Sequence, residues 1–183
     1  GIAVPAVFGL ILVGPNLIHL LIGTEYQESV EFLLPWIAIA LLMMGLQATY
    51  FDLAFQLGHY TMGIVKLSIT IAIINVALNY YLIPTMGMKG AAIATLISFI
   101  VGAILSAIIG RKHFALPFPI TDFIKIIIAT ICMSFALYWF KDNRGWIWLI
   151  AQLTTGLLSY SVVIYAFNIL DVRDSVNEYL RKV

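Results

Sequence analysis

Charged residues are scarce in this chain. They make up 10% of the 183 residues, whereas 62% are hydrophobic, and the mean hydropathy is +1.02. Soluble domains average about 25% charged and about 45–50% apolar residues, so a soluble chain of this composition would lack the polar surface to cover itself. The scarcity of charge excludes a soluble globular protein and indicates an integral membrane protein.

Cysteine and clustered basic residues are also scarce. The one cysteine, Cys132, cannot form an internal disulfide, and its place in an apolar run indicates a small buried hydrophobe. No metal-ligand spacing occurs, and a net charge of +1 with scattered Lys and Arg gives no basis for nucleic-acid binding. We therefore expect no metal site, no cofactor and no nucleic-acid partner.

The first residue is Gly rather than Met, and the first apolar segment lacks the basic flank of a signal peptide. We interpret the N-terminus as the cut end of a longer protein.

Six apolar stretches are each long enough to cross a bilayer, which requires about 20 apolar residues per helix. They cover about 3–22, 34–56, 63–83, 90–110, 121–140 and 146–169. Because the links are too short for a second domain, we predict one polytopic all-α membrane domain over residues 1–170. The charged segment 171–183 has apolar residues at helical spacing and predicts a short amphipathic cytoplasmic helix, with a frayed polar tail as the alternative.

Lys and Arg are distributed unevenly between the two sides of this arrangement. One side holds Lys89, Lys141 and Arg144, and the other side holds the remaining seven together with both ends of the chain. Cytoplasmic loops carry an excess of Lys and Arg. We therefore predict a multi-pass protein of the cytoplasmic (inner) membrane with both chain ends in the cytoplasm.

The fourth span carries a small side chain at every fourth position. These residues are Gly90, Ala94, Ser98, Gly102, Ser106 and Gly110. Helices in lipid associate by close backbone packing, which small residues permit. We predict that this face is a helix-packing surface, a role that says little about chemistry.

Polar side chains mark the second and third spans. Asp52 is the one carboxylate clearly within a span, and an intramembrane charge is costly enough to suggest function. Lys66 lies at a similar depth on the next helix, so we expect an ion pair with Asp52 near the cytoplasmic ends. The alternatives for Lys66 are a structural lock or a side chain that reaches back to the interface.

Asn75 and Asn79 lie one turn apart in the third span, where buried amides must find partners. Hydrogen bonds between helices are the favoured interpretation, and a water-filled cavity is the alternative. We expect Pro84 to end this helix, and Gly87 and Gly90 to permit a tight reversal.

The substrate-binding or cavity-lining candidates come from these two spans. They are Thr49, Asp52, Gln56, Lys66, Asn75 and Asn79. No Ser/His/Asp set, paired carboxylates or phosphate-binding glycine loop accompanies them, so we expect a protein that is not an enzyme.

Four stretches, in this order, resemble segments of a known family. They read LLIGTEYQESVEFLLP (20–35), LAFQLGHYTMG (53–63), NVALNYYLIPTMGMKGAAIATLIS (75–98) and DFIKIIIATICMS (122–134). The pattern resembles the polysaccharide-biosynthesis flippases, which belong to the superfamily that also contains the MATE drug antiporters and the lipid II flippases.

The resemblance implies the C-terminal part of a MATE-like, two-lobed transporter. The first four spans would be the last four helices of the second lobe, and the last two spans would be an added pair. The implied function is flipping of a polyprenyl-diphosphate-linked oligosaccharide across the membrane for cell-surface polysaccharide synthesis. The implied partners are membrane lipid and the lipid-linked glycan, with a glycan polymerase or glycosyltransferases as further candidates.

Two other functions remain open. A MATE-type drug or cation antiporter would need a carboxylate for ion coupling, and Asp52 is the candidate. A non-transporting membrane scaffold of envelope synthesis is also compatible with these residues.

Overall fold

The computed structural model of the protein describes residues 2–117, 120–140 and 143–167. The helices are α1 (Ala3–Leu21), α2 (Gln27–Leu46), a π-helical segment (Gln47–Phe51), α3 (Leu53–Leu57), α4 (Met62–Met86), α5 (Met88–His113), α6 (Ile120–Tyr138) and α7 (Trp146–Ala166). No strand occurs in the described ranges. The prediction of an all-α chain is confirmed.

Six of these helical stretches are long and apolar enough to cross a membrane, with α2, the π-helical segment and α3 forming one stretch, Gln27–Leu57. The six predicted spans are therefore confirmed as helices. The second begins at Gln27 rather than near residue 34, because a helix does not stop where the apolar residues stop. Glu28 in its first turn interacts favourably with the helix dipole, which supports the polar extension.

The end of α4 differs from the prediction. Pro84 does not end the helix, which continues to Met86. A proline removes one backbone hydrogen bond and clashes with the carbonyl four residues earlier, and α4 ends within one turn of Pro84. The reversal occurs at Gly87, whose φ of +58° is a conformation that glycine adopts without a steric penalty.

The chain divides into two compact units. The terminal unit comprises Gly1–Glu31 and Phe118–Val183, and the middle unit comprises Phe32–Pro117. The prediction of one domain over 1–170 stays a prediction, and the predicted tail helix over 171–183 lies outside the described residues.

In the terminal unit, α1, α6 and α7 pack against one another. Their core contains Val13 from α1, Met133 and Leu137 from α6, and Leu149 from α7.

In the middle unit, α5 packs along α4 and also contacts the π-helical segment and α3. All six small residues of its packing face are buried. A β-carbon on Gly90 would overlap the Leu82 carbonyl of α4, and one on Gly110 would lie 3.0 Å from Cβ of Ala54 in α3. The missing side chains thus allow α5 to approach both neighbours closely.

Large apolar side chains are exposed on the outer faces of both units. Examples are Ile73 and Val76 on α4, Phe135 on α6 and Leu157 on α7. Cys132 is exposed among them, so the expectation that it is buried was wrong. A side chain in a lipid-spanning helix can be apolar without being inside the protein, because the hydrocarbon around it is apolar as well.

Candidate functional site

The helix that begins at Gln27 widens at the π-helical segment Gln47–Phe51. Its defining bond joins the Asp52 N–H to the Gln47 carbonyl at 2.8 Å, five residues apart. The Gln47 and Asp52 side chains, one wide turn apart, are both buried. Turns of this kind are rare and are frequent at functional sites.

Asp52 is the only carboxylate between residues 32 and 117. It is 7% exposed, and its Oδ1 accepts a hydrogen bond of 2.6 Å from Oγ of Ser106 on α5. This hydrogen bond gives the buried carboxyl group a partner and so offsets part of the cost of burying it. Ser106 belongs to the small-residue face, which brings α5 close enough to make the bond.

A cavity of about 440 Å³ lies beside this pair, between α2, α4 and α5. Its size is within the usual range for small-molecule sites, about 300–1,000 Å³. The polar lining residues are Gln47, Asp52, Ser68, Asn75, Thr95 and Ser98, and the apolar ones are Met44, Ala48, Ile71, Ala72 and Phe99.

The cavity extends from the middle of the spanning helices towards one end. Asn75 and Ser98 are near the centres of α4 and α5, whereas Asp52 lies five residues before the end of the apolar stretch Gln27–Leu57. Exposed polar groups are avoided along spanning helices unless they are buried in protein or line a cavity.

Several polar groups of the cavity have hydrogen-bonding capacity left for a ligand. Within the described part of the chain, the Gln47 side chain makes no hydrogen bond. Asn75 Oδ1 accepts from Asn79 Nδ2 at 2.9 Å, which leaves its own Nδ2 to donate. The Ser98 and Thr95 hydroxyls donate to carbonyls of their own helix, so their oxygens remain free to accept.

The structure brings together only two of the six residues predicted to line a cavity, Asp52 and Asn75. Thr49 is exposed and donates to the Gly45 carbonyl at 2.7 Å, and Gln56 is exposed on α3. Asn79 bonds Asn75 within α4, so the expectation of hydrogen bonds between helices is not met by this pair.

The expected ion pair between Asp52 and Lys66 does not form in the described structure. The Lys66 Nζ lies 3.4 Å from the Tyr60 hydroxyl, while Asp52 is bonded to Ser106. The physical reason is the wide turn before Asp52 and the small face of α5, which turn the carboxylate towards α5. Lys66 remains on the exposed side of α4.

A second polar cluster, in the terminal unit, was missed by the sequence reasoning. Asn16 is 2% exposed, donates to Gln152 Oε1 at 3.1 Å and accepts from the Gly145 N–H at 2.8 Å. Gln152 Nε2 in turn donates to the Phe140 carbonyl at 2.9 Å. The signal was present, because Asn16 and Gln152 are single amides within uncharged apolar runs.

Arg144 extends this cluster at its exposed edge. It donates to the Pro15 carbonyl at 2.6 Å and lies 3.3 Å from Glu31 Oε1. The terminal cluster thus joins α1, α7 and the first turns of α2 by hydrogen bonds made within the chain.

Among the described residues, no group of three or more His, Cys, Asp or Glu side chains could hold a metal ion. The polar cavity of the middle unit contains one carboxylate, that of Asp52. Comparison of the chain with protein-family models, with curated proteins and with solved structures finds no match.

Proposed function

We propose that the protein moves a lipid-linked oligosaccharide across the membrane and that the polar cavity of the middle unit contacts the sugar. The observation that carries this proposal is a cavity within the spanning helices whose lining contains a buried carboxylate, two amides and three hydroxyls. The ordered resemblance to the polysaccharide-biosynthesis flippases supports the same function.

The chemistry of the lining suits sugar hydroxyl groups. A hydroxyl both donates and accepts, and the cavity offers acceptors at Asp52 and donors at the Gln47 and Asn75 amides. Phe99 adds an apolar wall. The diphosphate is a poor match to this cavity, because Asp52 would repel it, so we assign the cavity to the glycan part of the substrate.

The second candidate function is ion-coupled export of a drug or another organic cation. The observation that favours it is also Asp52, since a single buried carboxylate facing a cavity can bind a proton, a sodium ion or a cationic substrate. The two functions differ in substrate, so transport assays with a lipid-linked oligosaccharide and with an organic cation distinguish them.

Reconstitution in liposomes tests the proposal. The protein is inserted into vesicles that contain a fluorescent polyprenyl-diphosphate oligosaccharide, and a membrane-impermeant quencher reports how much of it changes leaflet. We expect faster exchange than in protein-free vesicles, with Asp52→Asn and Gln47→Leu slowing it. Thr49→Val is the matched control, since Thr49 bonds its own helix outside the cavity.

The same vesicles test the second candidate. Accumulation of a cationic dye that depends on Asp52 and on a proton or sodium gradient, without glycan exchange, would contradict the flippase proposal. It would support the antiporter instead. Glycan exchange that is unaffected by both cavity substitutions would contradict our assignment of the cavity.

A further inference from the structure

Basic side chains gather at one end of the middle unit. Because α4 and α5 run antiparallel on either side of the turn at Gly87, α4 begins at the end where α5 terminates. The basic patch at this end comprises His59, Lys66, Arg111, Lys112 and His113.

Stacked rings connect the two helices at this patch. The Tyr60 and His113 rings are parallel, with centroids 4.4 Å apart. The Lys66 Nζ lies 3.4 Å from the Tyr60 hydroxyl and 5.9 Å from the centre of its ring. Tyr60 therefore contacts both Lys66 through its hydroxyl and His113 through its ring.

The turn between α3 and α4 places a second imidazole here. His59 has a φ of +54°, which is uncommon outside glycine although histidine is enriched there. Gly58 abuts the end of α5, since a β-carbon on it would lie 2.9 Å from Cβ of His113. A left-handed residue in a tightly packed turn is the kind of backbone feature that clusters at binding sites.

The helix dipoles explain only part of the patch. Arg111, Lys112 and His113 lie in the last turn of α5, where cations are favoured. Lys66 is the fifth residue of α4, beyond the first turn in which the dipole acts, so the dipole does not account for its position. An anion bound at this end would interact favourably with Lys66, Arg111 and Lys112.

Acidic side chains of the middle unit do not neutralise the patch. Asp52, the only carboxylate between residues 32 and 117, is buried against Ser106. Arg111 and Lys112 are exposed, and neither makes an ion pair or a side-chain hydrogen bond with any residue the structure describes. The positive charge is thus available to a partner.

We infer that the basic patch binds the phosphate group of an anionic phospholipid. The ends of spanning helices lie at headgroup depth, where Lys and Arg bind lipid phosphates and Tyr is favoured. Arg and Lys make charge-assisted hydrogen bonds to phosphate oxygens, and the Tyr60 hydroxyl supplies a further donor. This inference does not rest on the proposed glycan transport.

Native mass spectrometry of the purified protein in detergent tests the inference. Phosphatidylglycerol and phosphatidylcholine are titrated separately, and the bound fraction of each is read from the intact complex. One basic residue near an anionic lipid surface is worth about a fivefold change in binding, so Arg111→Gln with Lys112→Gln should weaken phosphatidylglycerol about 25-fold. Binding of phosphatidylcholine should not change.

Lys89→Gln is the matched control. It removes one positive charge from the opposite end of α5, where Lys89 lies 4.4 Å from the centre of the Phe32 ring. We expect no loss of phosphatidylglycerol binding, and we expect Arg111→Lys with Lys112→Arg to retain it as well.

Three results would overturn the inference. They are equal affinity for the two lipids, an equal loss in the Lys89→Gln protein, and displacement of phosphatidylglycerol by inorganic phosphate at matched concentration. The last would identify a site for free phosphate rather than for lipid.

Discussion

The terminal and middle units bury the same kinds of polar side chain within apolar helices, yet they use them differently. In the terminal unit, both the donor and the acceptor of the Asn16 amide are engaged by Gln152 and Gly145. In the middle unit, Gln47 and Asn75 line a cavity and keep unused hydrogen-bonding capacity within the described residues.

The cavities of the two units show the same contrast. That of the terminal unit measures about 380 Å³ and is lined almost entirely by apolar side chains such as Val13, Met133 and Leu137. That of the middle unit has six polar side chains among its eleven lining residues. The role of an amide in a span thus depends on whether the chain supplies its partners, and not on the residue type.

The largest loss of stability should come from breaking the terminal cluster of Asn16, Gln152 and Gly145. Asn16→Leu leaves the Gly145 N–H and Gln152 Oε1 without their partner. An unpaired buried group costs about 1–3 kcal/mol, and the half-buried Gly145 N–H costs less than the buried Gln152 oxygen, so the free energy of unfolding should fall by about 2–4 kcal/mol. Equilibrium unfolding in detergent, followed by circular dichroism, measures the change.

The control for this prediction is Asn75→Leu in the open cavity. We expect its free energy of unfolding to fall by less than about 1 kcal/mol, because the substitution removes one hydrogen bond, from the half-buried Asn79 side chain on the same helix. Equal losses for the two substitutions would remove the contrast between the units.

Asp52→Asn should affect transport more than stability. The amide keeps an oxygen that accepts from Ser106, so expression and unfolding should change little. A hydrogen bond to a charged group is worth about 1.5–3 kcal/mol, and losing it from the substrate should slow transport about ten- to a hundredfold. The liposome exchange assay measures the rate, and normal transport in this variant would make the carboxylate structural.

One glycine in each unit allows the tightness of packing in the two units to be compared. A β-carbon on Gly90 would overlap the Leu82 carbonyl, a backbone group, whereas one on Gly156 would lie 3.5 Å from Leu137 Cδ1. Gly90→Ala should therefore destabilise the middle unit by about 1–3 kcal/mol through overpacking. Gly156→Ala in the terminal unit should be tolerated, as thermal unfolding of the two variants would show.

The smallest expected effect is the coupling between Asp52 and Lys66. Because Lys66 contacts Tyr60 and Asp52 contacts Ser106, the stability changes of Asp52→Asn and Lys66→Met should add within about 0.5 kcal/mol. A double-mutant cycle measures this coupling. If the double variant regained stability relative to the singles, the ion pair expected from the sequence would be real.

Much of the fold could be predicted from the sequence. Bilayer thickness fixes the length of an apolar run, so six spans followed from composition and length. The spacing of Gly90, Ala94, Ser98 and Gly102 also identified the face of α5 that the structure buries.

The site was less accessible to sequence reasoning. Asp52 and Asn75 stood out because they are rare residues in apolar spans, but depth along the helices gave no information on the direction of each side chain. The expected Asp52–Lys66 pair was wrong because the π-helical segment changes the direction of the Asp52 side chain. The sequence of that segment, QATYF, contains no residue that predicts a wide turn. The partners of Asn16 lie more than a hundred residues away in the chain, at Gly145 and Gln152.

The wide turn at Gln47–Phe51 also sets the rotational phase of the helix beyond it. One residue more or less per turn corresponds to about 100° of rotation and about 1.5 Å of travel along the helix axis. Rewinding this segment as a regular α-helix would therefore swing Asp52 away from Ser106 and take its carboxylate off the wall of the cavity. Deleting one of the five residues should have the opposite result, because the shortened segment can close as a regular α-helix and leave Asp52 facing Ser106.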